Sequence, residues 1–298
     1  MKKINLKYLL SLTVFISFFG MEIFAAPQVS PYEPQVVKAF ADSLYQEGFL
    51  NQAEGEYKRY LFSTDSFEAL SKSQQQDYQA TIMSLCNIYK NQKDKNGINW
   101  LKNNFFEIAE PVTKEKINLV NAGFIFAERD DKAFSLFTTS DSFAANNDIF
   151  SPEFVNLIYA SDYLLKKDIN SLTQLTSSIS PQFPVFQKLD ELCVNYKKKS
   201  PGLALLFSAV LPGSGKWYTG SFKTFFSSFL TVGSFVAGTV ITGMQTSWKS
   251  WQPYVFGACG LVLYITDLYG SYQSAKRYND ALYRTLCEET DKIYEAIY

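Results

Sequence analysis

Few residues in this 298-residue chain combine the type and spacing that chemistry needs. There is no histidine, which excludes a His-based triad, a His metal ligand and a His proton shuttle. The four cysteines, Cys86, Cys193, Cys259 and Cys287, never approach a CxxC spacing, so neither a zinc ribbon nor a redox pair is expected. A Cys86–Cys193 disulfide is conceivable in an oxidising compartment, but isolated buried thiols are the simpler reading. Gly213-Ser214-Gly215-Lys216 imitates the end of a phosphate-binding loop. That loop needs a glycine five residues before Gly215 and Ser or Thr after the lysine, where this chain has Val210 and Trp217. No nucleotide is therefore expected. Asp130-Asp131 reads as a helix-capping pair in a tight turn. Asp267 stands out as the one ionisable group inside an apolar stretch, which makes it a functional candidate. Its place near the end of that stretch points to a pairing partner or headgroup-level water. These residues assign no catalytic group, cofactor or metal.

The elements that position Asp267 are unusual. Thr224–Met244 is 21 residues without a charge, and Pro253–Thr266 is 14 more. A bilayer core takes about 20 apolar residues as helix. The two runs predict a transmembrane hairpin turning at Gln245–Gln252. Ahead of them, Leu203–Leu211 is nine apolar residues, too short to span, and it runs into the helix-breaking Pro212-Gly213-Ser214-Gly215. Lys216, Trp217, Tyr218 and Gly220 follow, with aromatic rings suited to the headgroup layer. Pro201–Gly220 is read as an interfacial or re-entrant element. A third span broken by the Pro-Gly kink stays open as the alternative.

The pattern LPGSGKWYTG, then apolar helix, then YITDLY, resembles the two-transmembrane-hairpin domain family. The matching residues are Pro212, Gly213, Gly215, Trp217, Tyr218, Gly220 and Asp267. The chain departs from the family at Lys216 and Trp217 and in a longer spacing from the turn to the acid. The resemblance covers about seventy residues and implies membrane anchoring, with little about chemistry.

Upstream, residues 1–25 read as a secretory signal: Lys2, Lys3 and Lys7, an apolar Tyr8–Gly20, and a small residue at Ala25. Residues 26–196 then show helical periodicity, beginning with Val37, Phe40, Ala41, Leu44 and Tyr45 on one face. The string from Gly48 through Ala53, with Tyr57, Arg59 and Leu61, resembles a tetratricopeptide repeat. That resemblance implies a small residue wherever paired helices cross. Aligned on this position, the candidates are Ala53, Gly97, Ala133 and Ser171, separated by 44, 36 and 38 residues, loosely near the 34-residue ideal. Tyr57, Tyr60, Tyr78 and Tyr89 are expected mainly in the core. Gln74-Gln75-Gln76 is read as a solvated helix start.

Lys197-Lys198-Lys199 joins the repeats to the membrane region and suits an anionic headgroup surface. Residues 271–298 alternate apolar and charged positions as an amphipathic helix, packing on the membrane surface or back on the repeats. With a net charge of −1 the chain shows no basic excess for nucleic acid. The expected fold is all-α: a tetratricopeptide-like helical-hairpin solenoid (26–196), a membrane domain (197–270) and a C-terminal helix (271–298). The expected protein is a non-enzymatic scaffold of the bacterial inner membrane, its repeats in the periplasm, binding a protein or peptide and the lipid bilayer. A subunit of an envelope transport or assembly complex is the alternative.

Overall fold

In the computed structural model, which describes residues 30–64 and 66–297, helices alone make up the regular structure of the described residues. The proposed signal stretch 1–25 lies outside the described residues. The chain separates into two compact units, one ending at Val120 and one running from Asn121.

The first unit contains α1 (Pro34–Gln46), α2 (Leu50–Ser63), α3 (Lys72–Gln92), α4 (Lys95–Phe105) and most of α5 (Pro111–Ala127). Pro34 opens α1 because its missing N–H falls where the helix has no acceptor for it. Ser71 and Gln74 form a reciprocal capping box that starts α3, which is the role Gln74 plays in the glutamine run. Tyr57, Tyr60, Tyr78 and Tyr89 are all buried in this unit. Tyr57 donates its hydroxyl to Asp42 (2.8 Å) and Tyr89 to Glu54 (3.2 Å), so these two rings enter the core with their polar ends satisfied, whereas the buried Tyr60 hydroxyl has no partner among the described residues.

The second unit holds α6 (Asp131–Thr138), the single-turn α7 (Asp141–Ala144), α8 (Pro152–Leu165), α9 (Ile169–Ile179) and α10 (Gln187–Val194). α11 (Pro201–Val210), α12 (Ser214–Tyr218), α13 (Phe222–Thr246) and the 45-residue α14 (Gln252–Ala296) complete it.

One turn geometry recurs across the chain. Gly48, Lys93, Arg129 and Lys167 each take a left-handed backbone, with φ of 84°, 56°, 56° and 58°. Each ends one helix and is followed directly by the N-cap of the next: Phe49, Asp94, Asp130 or Asp168. Asp130 accepts the backbone N–H groups of Lys132 and Ala133 (both 3.0 Å), and Asp168 accepts that of Ser171 (3.2 Å), so the acids end as caps. The turns are 45, 36 and 38 residues apart.

Two boundaries differ from the sequence reading. The division into compact units falls at Val120, not at 196. Nor does a separate C-terminal helix begin at 271, because α14 runs unbroken through Gly270. A glycine inside a helix costs only about 1 kcal/mol, and here its missing side chain leaves room for the Lys216 stem, which would lie 3.3 Å from an added Cβ. Beyond Gly270, α14 buries Ala275, Leu286, Cys287, Thr290, Ile293 and Tyr294. Tyr294 shares a hydrogen bond with Ser161 on α8 (3.0 Å), Tyr283 donates to the Leu164 carbonyl (3.1 Å), and Asp291 pairs with Arg129 (2.6 Å). The tail is therefore a core helix of the second unit, and residues 121–194 are packed around it.

Among the described helices only α13 is long and apolar enough by length and composition to cross a membrane, with a mean hydropathy of 1.6 in its most apolar window. The second expected run, Pro253–Thr266, is the opening of α14 rather than a helix of its own.

Candidate functional site

The residues singled out around Pro212–Gly220 and Asp267 converge on the middle of α14. α11 runs antiparallel to it: Asn279 is bound to both backbone groups of Lys199 (2.8 Å each), Ser208 to Ser271 (2.7 Å), and the Tyr264 hydroxyl donates to the Ala209 carbonyl (2.8 Å). The chain reverses at Leu211-Pro212-Gly213, and α12 climbs back along the same helix until Thr219 meets Ser274 (2.7 Å). α13 then starts at that level and runs antiparallel to α14, Gly260 lying against Phe235 and Gly257 against Thr239. α11 and α12 thus form a hairpin that enters and leaves at one end of the α13–α14 pair.

Asp267 holds the tip of that hairpin. Its carboxylate is buried, the side chain 3% exposed, and it accepts the Gly213 N–H (2.5 Å) and the Lys216 ammonium (2.7 Å). Lys216 also donates to Ser228 on α13 (2.6 Å). One carboxylate thereby joins the turn, α12 and α14, and its lysine extends the network to α13. Of the two expectations for Asp267, a pairing partner or headgroup-level water, the fold supplies the pairing partner. Burying the charge is tolerated because a full counter-charge and a backbone donor meet it there.

The glycines follow from this geometry. Gly213 has φ of 83°, and a Cβ on it would lie 2.7 Å from the Phe225 carbonyl. A Cβ on Gly215 would collide with the Ala204 carbonyl and lie 2.8 Å from the Ser271 Cβ, so the α11–α12 crossing requires glycine there. The Gly215 N–H donates to Ser208 (2.9 Å). Gly220, with φ of 90°, closes α12, and space around it is open. Pro212 lines an apolar groove with α13 and α14. Trp217 is exposed and stacks on Phe225 at 5.5 Å. The Tyr218 ring lies 5.3 Å from Phe207, and its hydroxyl accepts the Ser200 N–H (3.3 Å).

Sequence reasoning did not select Ser208, Ser228, Ser271 or Ser274, and it treated Lys216 as a departure from a pattern. The available signal was spacing: Asp267, Ser271 and Ser274 fall at i, i+4 and i+7, on one face of a helix.

The four crossing candidates separate into two kinds. Ala53 and Gly97 are buried, Gly97 under the Tyr89 ring, whereas Ala133 and Ser171 are half-buried. Ser171 spends its hydroxyl on Asp168 (2.6 Å). None of these four positions adjoins the Asp267 network in sequence.

No family model, curated protein or solved structure matches the chain.

Proposed function

We propose that this protein is a membrane-anchored helical-repeat scaffold of the bacterial envelope, non-enzymatic, that binds a protein or peptide partner. The observation that carries the anchor is the outward face of α11, α13 and the first part of α14. Val210, Leu230, Val236, Met244, Leu261 and Val262 are each more than half exposed, and apolar side chains exposed together on one set of helices mark a surface that meets a membrane or a partner. Ser208, Lys216, Ser228, Asp267 and Ser271 bond one another on the inner side, and the exposed Thr231, Ser234 and Thr266 return their hydroxyls to carbonyls of their own helices, so polar groups find partners within the protein as a bilayer requires. α13 is about 37 Å long at 1.5 Å per residue, enough for a hydrocarbon core of about 30 Å. Trp217 and Phe222 flank one end of this band, and Trp248, Trp251 and Tyr254 the other, as interfacial aromatics do.

In this reading α13 and the start of α14 span the membrane, and α11–α12 is re-entrant. Both ends of the membrane domain then lie on one side, with the α14 tail. The lysine-led apolar start of the sequence favours export of that side, and long domains translocate largely regardless of flanking charge. The recurrent left-handed turns with following N-caps support a tetratricopeptide-like solenoid, whose surfaces bind peptides or proteins. A second reading, a subunit packing against other membrane helices, draws on the apolar groove of about 410 Å³ lined by Pro212, Val236, Gly257 and Gly260.

The protein should remain in the membrane fraction after a carbonate wash, and recovery in the soluble fraction would defeat the anchor. Co-purification in mild detergent separates soluble partners from membrane partners. Because Cys287 is buried, topology is better read at the exposed Arg284. In a cysteine-free chain, Arg284→Cys should react with an impermeant maleimide applied to spheroplasts. Labelling only after lysis would put the repeats in the cytoplasm.

A further inference from the structure

Where α12, α13 and α14 meet at the entry end of the hairpin, they enclose an open polar groove of about 500 Å³. Its walls include Lys216, Thr219, Ser221, Thr224, Ser274 and Arg277, with Gly270 and Tyr278 completing it. Lys216 is committed to Asp267, so its charge is already balanced. Arg277 is exposed and faces the groove without a carboxylate among the lining residues. Lys199 does not line the groove, but its ammonium lies 5.8 Å from the ring of the lining Tyr278 and 4.6 Å from that of Tyr218. The groove therefore presents one uncompensated guanidinium, a nearby ammonium and a collar of hydroxyls. That is the donor set for a phosphodiester monoanion, which arginine binds through two parallel hydrogen bonds.

The groove also opens at a particular height. Trp217, Phe222 and Phe225 form an aromatic cluster next to it, with Trp217 and Phe222 exposed, and the apolar faces of α13 and α14 begin directly below. We infer that this groove binds the headgroup phosphate of an anionic phospholipid, with the acyl chains lying along those apolar faces. The inference rests on the membrane reading above. It commits to lipid rather than free phosphate because only a lipid uses both the donors and the adjoining apolar wall.

The test uses the full-length chain in detergent micelles, titrated with dihexanoyl phosphatidylglycerol and followed by tryptophan fluorescence, with native mass spectrometry counting bound lipid. Saturable binding of one phosphatidylglycerol is expected. Arg277→Gln should weaken it about tenfold, the loss of one charge-assisted contact. Lys276→Gln, the adjacent cation that does not line the groove, should leave binding unchanged. Both positions are on the surface of α14, so both variants should fold, as circular dichroism would verify. Equal weakening by the two variants would overturn the site, because it would mean diffuse charge attraction. Inorganic phosphate competing as well as the lipid would overturn the lipid assignment. Absence of saturable binding in a chain that does resist carbonate extraction would overturn this inference alone, leaving the anchor intact. A chain released by carbonate would remove the basis of both.

Discussion

The two halves of α14 share one backbone and bury opposite kinds of side chain. Before Gly270 the helix turns Leu261, Val262 and Ile265 outward and keeps Asp267 inside. After it, Ala275, Leu286 and Ile293 are inside, and Lys276, Arg277, Arg284 and Glu288 face out. Nothing in helix geometry changes at Gly270, since both halves repeat every 3.6 residues. On the proposed membrane reading, what changes is the surrounding. The first half is built as though its outside were hydrocarbon, where inward hydrogen bonds are the scarce resource. The second is built for water, where apolar burial drives packing. The inversion teaches that the same amphipathic period must be assigned an inside before it carries meaning.

Four measurements would break or sharpen this contrast. The largest effect is expected at Asp267. Asp267→Ala strands the Lys216 ammonium and the Gly213 N–H at a buried site, and breaking one side of such a pair costs about 3–5 kcal/mol. Thermal unfolding in detergent should register it, with Asp267→Asn losing less because an acceptor for Gly213 remains. An unchanged midpoint would show that the hairpin is not held there.

In the second half the matching deletion is apolar. Leu286→Ala should cost about 3–4 kcal/mol, as transfer and cavity terms add at a fully buried leucine. The loss should appear as a shifted unfolding curve, and a loss below about 1 kcal/mol would mean that the tail is not a core helix.

The third measurement tests the outside of the first half. Leu261→Asp lies on an exposed position. In water it should be nearly silent, but facing hydrocarbon it should cost about 3 kcal/mol of insertion free energy. A glycosylation-based insertion assay reads this directly. No change in the inserted fraction would remove lipid from that face.

The smallest effect is a slope with pH from the tyrosines buried outside the apolar band. Burial pushes the Tyr60 hydroxyl up to about 12 from 10.0, and Tyr57, Tyr89, Tyr283 and Tyr294 shift the same way. Their folded values lie above the unfolded one, so the folded chain holds more protons at high pH. The stability they contribute is complete below about pH 10 and drains away as the pH rises through the folded values. Urea midpoints followed from pH 8 to 11 should fall only above about pH 10, and a flat profile would contradict the buried hydroxyls.

Much of this was legible along the chain, and what was legible was local. The helical content, the apolar run of α13, the breaker at Pro212-Gly213 and the capping role of Asp130 follow from composition, periodicity and turn chemistry, all set by residues a few positions apart. Asp267 could be singled out because a charge in an apolar stretch is costly wherever it ends up. Its partners could not be named. Lys216 lies 51 residues before it, and nothing in either neighbourhood says that a chain reversal at Gly213 will lay α12 against the middle of α14. The requirement for glycine at 215 has the same origin, since it comes from the Ala204 carbonyl and Ser271 meeting there. Tertiary structure also decided that the amphipathic tail is core and that Ala133 and Ser171 stay half-buried while Ala53 and Gly97 do not. A one-dimensional pattern fixes which face of a helix is apolar, and only packing fixes what that face meets.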